Sequence, residues 1–195
     1  MYKKQMTLQK VVCLLSLIAS GIVFIYALGI MTDLYDSLYS TMMNPYDLSD
    51  TTVPGSIVYY EMQDFNRIFL KMSIGLILLS CLLYITNTAV RRKYYIGNYI
   101  AVALYVIANV YTAVWGHTYI EFFKARFLNI DFEALRAHAD LWKTYYTEST
   151  FWFDIHYLVF GLTLLVSALL VYNTVWKVKL MKEETALLAG KGAVG

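Results

Sequence analysis

The sequence predicts an all-α, polytopic membrane protein with four transmembrane helices, and three observations point to that class. Apolar runs cover about residues 11–31, 68–90, 97–116 and 154–176. Each reaches the roughly 20 residues that an α-helix needs to cross the hydrocarbon layer. Charged residues make up 15% of the 195-residue chain and hydrophobic ones 59%, with a mean hydropathy of +0.52. Soluble domains carry charge on about a quarter of their residues, so this composition fits a lipid-embedded chain. The third observation is where the bases stand. Of the 16 Lys and Arg residues, ten fall in three clusters abutting the runs: Lys3, Lys4 and Lys10; Arg91, Arg92 and Lys93; Lys177, Lys179, Lys182 and Lys191.

Lys and Arg near span ends set orientation, because they stay on the cytoplasmic side. The three clusters are satisfied together only by four spans with both termini inside the cell membrane. That arrangement puts 10 bases and 2 acids (Glu183, Glu184) inside, a net +8, and 6 bases and 12 acids outside, a net −6. The bilayer accounts for the bases, so a nucleic-acid partner is not expected. The chain lacks an Asn-x-Ser/Thr acceptor, which fits a bacterial membrane.

The first run follows Lys3 and Lys4 and invites a signal-peptide reading. Its apolar stretch exceeds the roughly 7 to 15 residues of a signal core and no clear A-x-A site follows, so it is read as a retained helix. Outer loop 32–67 opens with Leu34, Leu38 and Met42 at helical spacing, which predicts that the first helix continues to about Met43. Asn44-Pro45 stops it, Val53-Pro54-Gly55 marks a turn, and helix resumes near Ile57. The 91–96 hairpin ties spans two and three as antiparallel neighbours. In outer loop 117–153, Asn129 or Asp131 caps a short helix whose apolar face is Phe132, Leu135, Ala139 and Trp142. Residues 181–195 are expected to form a mobile tail.

Residues 75–93 and 161–179 align without a gap. The informative identities are Gly75/Gly161, Asn87/Asn173, Thr88/Thr174 and Lys93/Lys179, since leucine matches between membrane helices are cheap. The four-helix bundle is therefore read as two tandem hairpins, a parallel pseudo-repeat about an axis along the membrane normal. Its two outer helical loops would then meet as a cap.

One group of side chains carries ligand chemistry: His117, Glu121, Asp154 and His156. The first two share a helical face and the last two open an antiparallel span at similar depth. Such a group could hold Zn²⁺, or two histidines could ligate a b-type haem. The bland alternative is ordinary polar residues at hydrated helix ends, and no metal or cofactor is assigned. Asp33 and Asp36 lack a neighbouring nucleophile. Asn109, mid-span, calls for an interhelical hydrogen bond. Cys13 and Cys81 lie within spans and read as small apolar residues. Tyr46, Tyr59, Tyr60, Trp142, Tyr145 and Tyr146 in the outer loops are candidates for partner docking, because aromatic side chains dominate interface hot spots.

Walker, HExxH and nucleophile-elbow motifs are missing, and mid-span positions carry no ionisable residue of the kind ion-coupled carriers use. The leading expectation is thus a non-catalytic accessory or assembly subunit of a larger membrane complex. Its partners would be other membrane subunits, with an ABC-type solute importer and its extracellular binding protein as the favoured setting. The alternatives are a membrane redox or metal/haem protein using His117 and His156, and a small homo-oligomeric channel lined by Asn109 and the span serines.

Overall fold

A computed structural model describes residues 2–32, 43–44, 47–51, 53–88, 95–142 and 147–192. In chain order the elements are α1 (Tyr2–Thr32), β1 (Met43–Asn44), β2 (Asp47–Thr51), α2 (Val58–Thr88), α3 (Tyr95–Phe127), α4 (Phe132–Trp142), α5 (Phe151–Asp154) and α6 (His156–Gly192). The architecture is all-helical except for the small antiparallel β1–β2 pair, which sets Met43 opposite Thr51 and Asn44 opposite Asp47. Four stretches are long and apolar enough to cross a membrane: Lys3–Met31, Val58–Thr88, Gly97–Phe127 and Phe151–Leu187. At about 1.5 Å per residue these helices outrun the hydrocarbon layer.

Helix boundaries differ from the sequence expectation at two places. α3 continues to Phe127, past residue 116, because Ile120, Phe123 and Phe127 recur on one face and are all buried. Residues 181–192, expected as a mobile tail, continue α6. The expected helix through Leu34, Leu38 and Met42 falls outside the described residues, as do Asp33 and Asp36, and Met43 lies in β1. The turn at Val53-Pro54-Gly55 is present, with the Ser56 amide donating to the Val53 carbonyl at 3.1 Å. Gly55 there takes φ +84°, the left-handed region that a side chain disfavours. A Cβ at Gly55 would also meet the Asn129 carbonyl oxygen at 2.9 Å, and the Asp131 amide donates to the Pro54 carbonyl at 3.0 Å. The two segments read as outer loops thus touch at that turn. Asp131 caps α4, its Oδ1 accepting from the Glu133 and Ala134 amides at 3.1 and 3.0 Å.

The chain divides into two compact units. The first comprises residues 1–20, 76–110 and 162–195; the second comprises 21–75 and 111–161. All three basic clusters belong to the first unit, whose only acids are Glu183 and Glu184. Its core is Val12, Cys13, Leu83, Ala101, Val102, Tyr105 and Leu170. Beside that core lies a set of buried amides. Gln5 Nε2 donates to Gln9 Oε1 at 3.0 Å and to Asn173 Oδ1 at 3.3 Å, while Gln9 Nε2 donates to the carbonyl and Oδ1 of Asn87. Tyr105 donates its hydroxyl to the Ser16 carbonyl at 3.1 Å and lies 3.2 Å from Ser20 Oγ. Satisfying polar groups within the helices is obligatory where lipid offers no partner.

The second unit is built on aromatic rings. Phe69 stacks on Phe65 with centroids 5.6 Å apart and meets Tyr26 and Phe160 edge-on at 5.8 and 6.1 Å. Phe127 packs against Phe153 at 5.2 Å and Phe132 at 5.4 Å. Arg126 pairs with Glu61, and Leu135 and Ala139 of α4 are buried.

Candidate functional site

The residues with ligand chemistry stand in the second unit, on α3 and at the start of α6. His117 and Glu121 are four apart in α3, so one helical face carries both. His156 is the first residue of α6 and is fully buried. Its Nε2 lies 2.9 Å from His117 Nδ1 and 3.8 Å from Glu121 Oε1. The ligand atoms of the three side chains all lie within 4.8 Å of one another.

Asp154 does not join them. Its Oδ1 takes Lys124 Nζ at 2.5 Å and its Oδ2 accepts from the Thr150 hydroxyl at 2.6 Å. The expected four-residue group is therefore a three-residue one, with Asp154 turned to a cation that sequence reading left out. Lys124 follows Glu121 by three positions and His117 by seven, a spacing that places it on the same face. Two further participants were missed. Tyr157 donates its hydroxyl to Glu121 Oε1 at 2.9 Å, and the Phe153 carbonyl holds His156 Nδ1. Tyr157 is visible only as the neighbour of His156; a backbone carbonyl leaves no trace in a sequence.

A carbonyl only accepts, so His156 Nδ1 carries the proton and Nε2 presents its lone pair toward His117 and Glu121. The buried imidazole is thereby locked in tautomer and orientation, while His117 remains exposed. This arrangement does not fit a bis-histidine haem. Axial imidazoles stand on opposite faces of the macrocycle, and rings in direct contact leave it no room.

Asn109 makes the interhelical contact expected of it, Nδ2 donating to the Thr163 carbonyl at 3.0 Å and to Ser167 Oγ at 2.7 Å. Tyr59 is 1% exposed, so its side chain faces the core and not a docking surface. Tyr60 is half-buried, Tyr46, Tyr145 and Tyr146 lie outside the described residues, and Trp142 closes α4. Cys13 and Cys81 are both free thiols, Cys13 buried and Cys81 half-buried.

No protein-family model matches this chain, and comparison with curated proteins and with solved structures also finds no match.

Proposed function

We propose that this chain is a non-catalytic accessory or assembly subunit of a larger membrane complex, held in the cell membrane with both termini inside. The observation that carries the reading is where most of the buried polar side chains of the first unit go. Asn109, Ser16, Ser20, Tyr105 and the Gln5–Gln9–Asn87–Asn173 set are engaged with one another or with backbone carbonyls of the same unit. A conduit presents such groups to its cargo, whereas these groups serve helix packing. Both donor protons of Asn109, one of the groups that would line a channel, have acceptors on α6, which favours the packing role.

The tandem-hairpin repeat is part of this proposal. The matched residues Asn87 and Asn173 each accept from an α1 glutamine, Gln9 and Gln5, which stand one turn apart. The matched Gly75 and Gly161 have nothing within 4 Å of a built Cβ, so packing gives that identity no reason. Support for a cap comes from the Pro54–Asp131 contact between the two loop segments. Acidic and aromatic residues of those loops would face an extracellular partner. The favoured assembly is a solute importer of the ABC type with its binding protein.

Purification from native membranes in mild detergent, followed by mass spectrometry, tests the proposal. Other membrane subunits are expected in stoichiometric amount. Recovery of the chain alone, as a monomer, overturns it.

A further inference from the structure

We propose that His117, Glu121 and His156 form a binding site for one divalent transition-metal ion of the Zn²⁺ type. This inference does not depend on the chain being a complex subunit.

The ligand set is two imidazoles and a carboxylate, a combination that catalytic zinc sites use while leaving a fourth position for water. Metal–nitrogen and metal–oxygen bonds of about 2.0 to 2.2 Å at a tetrahedral centre place neighbouring ligand atoms about 3.4 Å apart. The separations from His156 Nε2 fall on either side of that value, 2.9 Å to His117 Nδ1 and 3.8 Å to Glu121 Oε1. Those two need only a few tenths of an ångström, while the widest separation in the group, up to 4.8 Å, must close by more than an ångström through rotation of the His117 and Glu121 side chains. His117, exposed at the edge, is free to make that adjustment, and buried His156 serves as the fixed ligand.

The surroundings resemble the outer shell of a metal centre. A ligating histidine commonly gives its second ring N–H to a carbonyl or carboxylate, which fixes the ring and raises its basicity. The Phe153 carbonyl supplies that partner for His156. Ligating carboxylates are hydrogen-bonded in turn, and Tyr157 supplies that bond to Glu121. Lys124, the nearby cation of α3, is neutralised by Asp154 and so does not oppose a second positive charge. Two nitrogen donors select a borderline transition metal over Mg²⁺ or Ca²⁺, which favour all-oxygen sites. The competing description is a hydrogen bond between the two imidazoles with no metal, and the two differ in measurable ways.

Full-length protein purified in detergent, stripped with a chelator, is titrated with Zn²⁺ against a chromophoric competitor. One equivalent should bind per chain. Tyr157→Phe, which removes only an outer-shell bond, should weaken binding by about tenfold, the lower end for such a partner, and His117→Ala and Glu121→Gln should each weaken it by more than that. His138→Ala, in α4, should leave the affinity unchanged. His117 is the decisive position because it is exposed, and circular dichroism verifies that each variant keeps its helices. Co²⁺ should show the visible absorption of a tetrahedral N/O site that His117→Ala removes. Absence of saturable binding overturns the proposal. So does unchanged affinity in the His117→Ala/Glu121→Gln double variant, which would mark the ion as adventitious.

Discussion

Phe69→Ala is expected to lower the stability of the detergent-solubilised protein by about 3 kcal/mol, the lower end of the range for removing a buried phenylalanine. Phe69 is fully buried, and rings from α1, α2 and α6 close on it: Tyr26, Phe65 and Phe160. Gly116 of α3 completes the enclosure, since a Cβ there would lie 3.3 Å from the Phe69 ring. Truncation removes three aromatic contacts, each worth roughly 0.5 to 1.5 kcal/mol beyond area. It leaves a cavity with flanking helices that cannot collapse independently. The lower end applies because, for a helix in an apolar lipid or detergent surround, the transfer contribution is smaller than in water. Unfolding in a graded denaturing detergent, followed by tryptophan fluorescence, measures the effect. A loss below about 1 kcal/mol would mean that the ring does not hold these helices together.

Gly29→Leu should be the second most damaging change, through overpacking. A Cβ on Gly29 points into the Trp152 indole. That ring cannot readily swing away, because Tyr26 stacks on it at 6.3 Å and the Tyr26 hydroxyl donates to the Trp152 carbonyl at 2.9 Å. Added volume in a packed interior costs about 1 to 3 kcal/mol, and the blocked retreat of Trp152 places this case toward the upper figure. Gly21→Leu is the matched control on the same helix, with nothing within 4 Å of its built Cβ, and should be near neutral. Adding Trp152→Ala to Gly29→Leu should recover part of the loss. Equal effects at positions 21 and 29 would contradict the packing described here.

Both positions show how the sequence speaks and where it falls silent. The four apolar stretches were legible because lipid imposes a length and a composition on any helix that crosses it. Asp131 was legible as a cap, and Gly55 as a turn, from local chemistry alone. The extension of α3 to Phe127 was not, because it rests on rings such as Phe153 that arrive from a distant part of the chain. The same limit applies to the ligand cluster. His117 and Glu121 follow from helical spacing, and His156 from antiparallel depth, but the diversion of Asp154 to Lys124 depends on how α5 is set against α3. No periodicity encodes that setting. Gln5 and Gln9 lie before the first apolar run, yet they hold Asn87 and Asn173. An amide there reads equally as a solvated helix end.

The proposed sidedness requires four crossings with both termini inside, and thiol labelling tests that most directly. In a background carrying Cys13→Ser and Cys81→Ser, single cysteines are placed at Ser49 and Thr147 of the second unit and at Thr185 of the first. The concentration of ten of the 16 bases, with only two acids, in the first unit sets the expected result. Ser49→Cys and Thr147→Cys should react with a membrane-impermeant maleimide in intact cells, and Thr185→Cys only after lysis. Labelling of Thr185→Cys in intact cells, or protection of either of the other two until lysis, would contradict the four-span arrangement.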